Sequence, residues 1–113
     1  MVNNKLDLAF TALGDPTRRA IVERLAAGPA SVSELAAPLP MSLPAVMLHL
    51  KLLTESGLIT SQKKGRIRTC QLNPQMLSLA EKWVSERRYN WECQLERLGA
   101  FLEAEDIVKG DKT

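Results

Sequence analysis

The chain is poor in the residues that do chemistry. Among 113 residues there is one histidine, His49, and two cysteines, Cys70 and Cys93. One imidazole cannot assemble the four-coordinate site that zinc prefers. No paired-carboxylate motif, glycine-rich phosphate loop or nucleophile with a partner base is present, which excludes the common enzyme classes and leaves no cofactor to expect. No window approaches 18 uninterrupted apolar residues, and Met1 to Phe10 lack the basic-then-apolar order of a signal peptide. A cytoplasmic protein with no membrane partner and free thiols follows as the expectation.

Acidic residues are also absent where it matters. Residues 58–72 contain Lys63, Lys64, Arg66 and Arg68 and no Asp or Glu. The whole chain carries a net charge of only +2, but residues 1–72 hold nine Lys/Arg against five Asp/Glu, and residues 73–113 six against eight. A local cationic patch on a nearly neutral chain suits a phosphate-contacting finger. The same charges also suit a solvated hairpin tip guarding a sheet edge.

What is present is a run of well-punctuated helices. Leu6, Ala9, Phe10 and Leu13 recur at helical spacing and predict a first helix over 5–13. Gly14 ends it, and Asp15-Pro16 supplies N-cap and N1 for a second over 16–27, with Ala20, Ile21, Leu25 and Val22 inward and Arg18, Arg19 and Arg24 left for the surface or for ion pairs. Ser31 and Glu34 fit a capping box that opens a short third helix over 31–37. Ser42 caps a fourth over 43–56, with Pro44 in its first turn, Val46, Leu50 and Leu53 as its buried stripe, and Gly57 placed for a left-handed C′ cap on which Leu58 folds back against Leu53. Two brief helices joined by a short turn make a helix-turn-helix. Residues 58–72 then read as a two-stranded hairpin turning at Gly65, with Arg68, Cys70 and Leu72 on one side of the second strand.

Asn73-Pro74 opens a helix over 74–104. Met76, Ala80, Trp83, Arg87, Trp91, Leu95, Leu98 and Leu102 track one stripe along it. At roughly 1.5 Å per residue it reaches about 45 Å, more than one small domain can cover. A second copy paired across a two-fold axis is the expected cover, with Leu6 and Phe10 of the first helix joining Trp83, Trp91, Leu95, Leu98 and Leu102 at the interface. Trp83, Tyr89 and Trp91 suit either interface core or the lining of a small-molecule pocket. Residues 105–113 are expected to form a flexible tail. The fold class is mainly α with a small β-hairpin, a winged helix-turn-helix with a long terminal helix, in one domain over 1–104.

Several of these segments, in order, resemble the ArsR (ArsR/SmtB) family of bacterial transcriptional regulators: Leu13 to Ile21, Ser33 to Ala36, Met41 to Val46, His49 to Leu53 and Ser56 to Ile59. The resemblance covers about residues 5–104. It implies a homodimeric repressor on a palindromic operator in double-stranded DNA, acting in the cytoplasm and on the nucleoid when bound. The family's Cys-x-Cys motif on the third helix and the Asp/His clusters of its last helix are missing here, so the chain resembles the metal-independent branch. A small-molecule or protein effector stays open. Cys70 stands where the family often has an aromatic residue.

By geometry and resemblance together, the residues expected to meet DNA are Ser42, Leu43, Pro44, Met47, Leu48 and Lys51 of the fourth helix, with Lys63, Lys64, Arg66 and Arg68 of the wing. The first group contains no Arg, Asn or Gln, so apolar contact and DNA shape are expected to carry recognition more than bidentate base bonds. His49 suits hydrogen bonding against the second helix more than a phosphate contact. The competing reading is a winged-helix interaction module that turns Leu43, Met47 and Leu48 toward a protein and binds no DNA.

Overall fold

The computed structural model describes residues 4–108, with side chains through residue 105. The elements run α1 (Asn4–Leu13), α2 (Pro16–Ala26), β1 (Ala30–Ser31), α3 (Val32–Ala36), α4 (Leu43–Glu55), β2 (Ile59–Lys64), β3 (Ile67–Leu72) and α5 (Pro74–Val108). They fall into two compact units, one running to Ala80 and the other beginning at Glu81, so the boundary lies inside α5. Helix α5 continues past residue 104, because Ala104 and Glu105 are good helix formers and no glycine or proline intervenes before Gly110. The rest of the expected tail, residues 109–113, lies outside the described residues.

In the first unit the core joins Ala9 and Ala12 of α1, Ile21 and Leu25 of α2, Leu35 of α3, Val46, Leu50 and Leu53 of α4, and Leu58, Ile59, Cys70 and Met76. The stripe expected on α4 is the one buried. Ala20 is exposed, contrary to its expected inward position, and the inward face of α2 is Ile21 and Leu25, with Val22 partly buried against the same core.

The hairpin is not a two-stranded sheet. Ala30 and Ser31 pair antiparallel with Cys70 and Thr69, giving a three-stranded sheet in the order β1-β3-β2. A two-residue strand has no alternating pattern to read, which hides it in the sequence. It gives the hairpin the further support that two strands in water require.

Helix ends are fixed by side chains. Asp15 accepts from the Arg18 N–H (3.0 Å), and both reciprocal bonds of the Ser31–Glu34 capping box form, at 2.8 and 3.1 Å. The last carbonyls of α1 are taken by arginines from the first turn of α2. Arg18 Nε donates to Ala12 O (2.9 Å), and Arg19 Nη1 to Leu13 O (2.8 Å). Cations at a helix C-terminus also oppose its partial negative charge.

The end of α4 departs from the expected closure in one bond. Gly57 takes φ +82°, and its N–H donates to Thr54 O (3.0 Å). The Leu58 N–H meets Ser56 Oγ (3.2 Å), and that buried hydroxyl in turn donates to Leu53 O (2.6 Å). Ser56 thus relays the link between Leu58 and Leu53. Asn73 then ties the start of α5 to this corner, its N–H donating to Leu58 O (2.8 Å) and its Nδ2 to Gly57 O (2.9 Å).

Candidate nucleic-acid interface

Ser42 fixes the start of α4. Its Oγ accepts from the Ala45 N–H (3.3 Å), and Pro44 sits in the first turn, where a missing N–H costs nothing. Because Val46, Leu50 and Leu53 point inward, the opposite arc is left to Leu43, Met47 and Leu48, which are 55%, 41% and 57% exposed, with Pro44 and Lys51 between them.

The wing brings its cations to the same side. Gly65 turns the hairpin at φ +62°, and the register sets Lys63 opposite Arg68 and Lys64 opposite Ile67. Directly opposed residues share one face of a sheet, so Lys63 and Arg68 are like charges side by side. Arg68 is steadied by a bond from Nη1 to Ser61 Oγ (3.0 Å). Among the described residues, no carboxylate lies within salt-bridge distance of Lys51, Lys63, Lys64, Arg66 or Arg68; the ion pairs are Asp15 with His49 and Glu86 with Arg87.

Leu43 and Met47 share an open groove of about 680 Å³ with Lys63, Arg66 and Arg68. Ser33, Glu34, Ile67 and Thr69 also line it, and none of these was expected at the DNA-facing site from the sequence. Ile67 is an exposed strand residue beside the turn, which alternation alone could have flagged. Glu34 brings a negative charge into the groove, but its Oε1 is engaged by the Ser31 N–H, and that bond holds its carboxyl below the usual range. Met47, Lys51 and Arg68 line a smaller hollow with Cys70, and Leu48 and Lys64 line neither. Ser42 and Pro44 are exposed and lie outside both.

His49 is half-buried behind this face. Its Nδ1 lies 3.3 Å from Arg18 Nη1 and 3.8 Å from Asp15 Oδ2. The side chain thereby fastens α4 to the start of α2, the packing role expected of it. Cys70 is buried, and burial pushes its thiol pKa up, so it is held as the thiol. Among the described residues no cluster of three or more His, Cys, Asp or Glu could hold a metal, and no helix is long and apolar enough to cross a membrane.

Comparison with known proteins decides the family. Residues 13–62 match a helix-turn-helix domain model. Over 94 residues the chain is 35% identical to the arsenical resistance operon repressor of Escherichia coli, covering 82% of this chain and 78% of the relative. The chain belongs to the ArsR family of transcriptional regulators. The crystal structure of another ArsR family regulator, RHA00566, superposes with a TM-score of 0.75 at 46% identity, covering 78% of this chain and 97% of that one. The HTH-type transcriptional regulator Rv2034 of Mycobacterium tuberculosis is 54% identical over 68 residues, 60% of this chain. The chain spans 64% of that relative's length. In this ArsR-family chain α3 and α4 are therefore the helix-turn-helix, and β2 and β3 the wing.

On α1, Leu6 is half-buried against the core and Phe10 is 37% exposed. In the second unit Trp83, Trp91, Leu95, Leu98 and Leu102 are all exposed, as are Val84, Tyr89 and Phe101. Arg87 lies over the Trp83 ring at 4.5 Å from its centroid, a cation–π contact that keeps a charge inside the apolar stripe.

Proposed function

We propose that this regulator is a homodimeric repressor that binds a palindromic operator in double-stranded DNA, working in the bacterial cytoplasm. The observation that carries the DNA reading is the groove shared by Leu43 and Met47 of α4 and by Lys63, Arg66 and Arg68 of the wing, whose cations have no carboxylate partner among the described residues. Opposed, unpaired cations cost stability in an isolated protein, and a polyanion removes that cost. Ser42, Leu43, Pro44, Met47 and Leu48 enter the major groove, while Lys51, Lys63, Lys64, Arg66 and Arg68 hold phosphates.

The apolar stripe of α5 supports the dimer. From Trp83 to Leu102 it presents aromatic and aliphatic side chains to solvent at helical spacing, a surface that water disfavours and a second copy would cover. Leu6 and Phe10 would meet the same partner. A two-fold dimer puts its two reading helices about 34 Å apart, one helical turn of DNA, which makes the operator palindromic.

Gel shift against the DNA upstream of the protein's own reading frame tests both halves. A shift that is lost when Lys63, Lys64, Arg66 and Arg68 are all changed to Ala, with the dimer intact by analytical ultracentrifugation, supports the reading. No shift at low salt from the wild-type protein refutes it and favours an interaction module.

A further inference from the structure

The reading face of α4 is unusual in what it can offer a base pair. Leu43, Met47 and Leu48 dominate its first two turns and are exposed, while Ser42 Oγ is already accepting from the Ala45 N–H. No amide, guanidinium or ammonium stands on that arc in the first two turns; Lys51 follows one turn after Met47, and the other cations lie on the wing. Bidentate recognition of guanine by Arg or Lys and of adenine by Asn or Gln is thus unavailable from the helix tip. In the major groove the one base-edge feature that an aliphatic or thioether side chain can favour is the C5-methyl of thymine.

We propose that Leu43, Met47 and Leu48 determine operator specificity by packing on thymine methyl groups. The inference rests on the DNA reading above and adds to it the chemical class of the sequence read. Leu43 and Leu48 are separated by about 7.5 Å along the helix axis, which spans two to three base-pair steps. Their directions around the axis differ by about 140°, so they meet bases on different sides of the groove. Met47 lies between them and, being unbranched and polarisable, adapts to either. The cations of the wing, with no carboxylate partner among the described residues, supply the phosphate grip that lets weak apolar contacts decide between sequences.

Selection of tight binders from a random duplex library by the full-length protein gives the half-site, and single thymine-to-deoxyuridine changes in it remove one methyl each without altering base pairing. The expected result is one or two thymines per half-site at which deoxyuridine weakens binding about fourfold, the transfer value of one buried methyl. At those positions a 5-methylcytosine·guanine pair should bind better than its unmethylated counterpart. Leu43→Ala and Leu48→Ala, exposed enough to leave the melting temperature unchanged, should each abolish the thymine–uracil difference at one position. Half-sites in which every deoxyuridine is neutral would overturn the proposal while leaving DNA binding standing. A uracil effect that persists in both alanine variants would assign the methyl's role to DNA shape and overturn it equally. Failure of any sequence to enrich at low salt would overturn the DNA reading itself.

Discussion

Lys63→Gln separates the wing's service to DNA from its service to the fold. Lys63 stands directly opposite Arg68 in the hairpin register, and neither has a carboxylate partner among the described residues. Like charges directly opposed in a sheet cost about 0.2–1 kcal/mol. Glutamine relieves that repulsion and leaves the Arg68–Ser61 bond in place, so the free protein should be unchanged or more stable by up to about 1 kcal/mol in urea unfolding. On DNA the sign reverses. The proposed dimer would lose two phosphate contacts, and at about 0.9 per phosphate the slope of log affinity against log salt should fall by about 1.8. Between 50 and 200 mM salt the wild-type advantage should therefore shrink by about twelvefold. Fluorescence anisotropy on one labelled operator across that range measures it. An unchanged slope would remove Lys63 from the phosphate contacts, and a variant less stable than wild type would refute the view of Lys63–Arg68 as a pair held for DNA.

Ser56→Ala should destabilise the first unit by about 1–3 kcal/mol, because it leaves the buried Leu58 N–H without its acceptor; a melting temperature equal to wild type would show that the chain closes the helix end directly. Trp91→Glu and Leu98→Glu should each convert the dimer to monomer in sedimentation and lower operator affinity at fixed protomer concentration. The carboxyls of Asp15 and Glu34 are held below their ordinary values of 3.8 and 4.5, chiefly by the backbone N–H groups of Arg18 and Ser31. Both favour the fold fully above about pH 4.5 and lose that contribution as pH falls through their lowered values, so Glu34→Gln should shallow the acid limb of a stability–pH curve. Cys70, buried with a raised pKa, should react with a thiol reagent at neutral pH far more slowly in the native state than in urea, and equal rates would show that the wing opens freely.

Much of the fold is legible along the chain because it is written in local rules. The Ser31–Glu34 box, the caps at Asp15 and Ser42, the turns at Gly57 and Gly65 and the buried stripe of α4 are each decided by residues within a few positions of one another. What the chain conceals is long-range. Strand β1 is two residues whose pairing with Cys70 and Thr69 depends on a partner forty residues away. The arginines of α2 read as surface or ion-pair residues, yet the fold sets Arg18 and Arg19 on the carbonyls that end α1.

The candidate site divides in the same way. Sequence by itself determined its chemistry: an apolar reading helix, an acid-free cationic hairpin, a single histidine and no set of metal ligands, all properties of side-chain type and period. Only the tertiary structure decided which of these share a groove. Leu43, Met47, Lys63, Arg66 and Arg68 meet there, Leu48 and Lys64 do not, and Glu34 enters with its charge engaged by Ser31. The physical reason is that composition and period specify what a face carries, whereas strand register and helix packing specify what it faces.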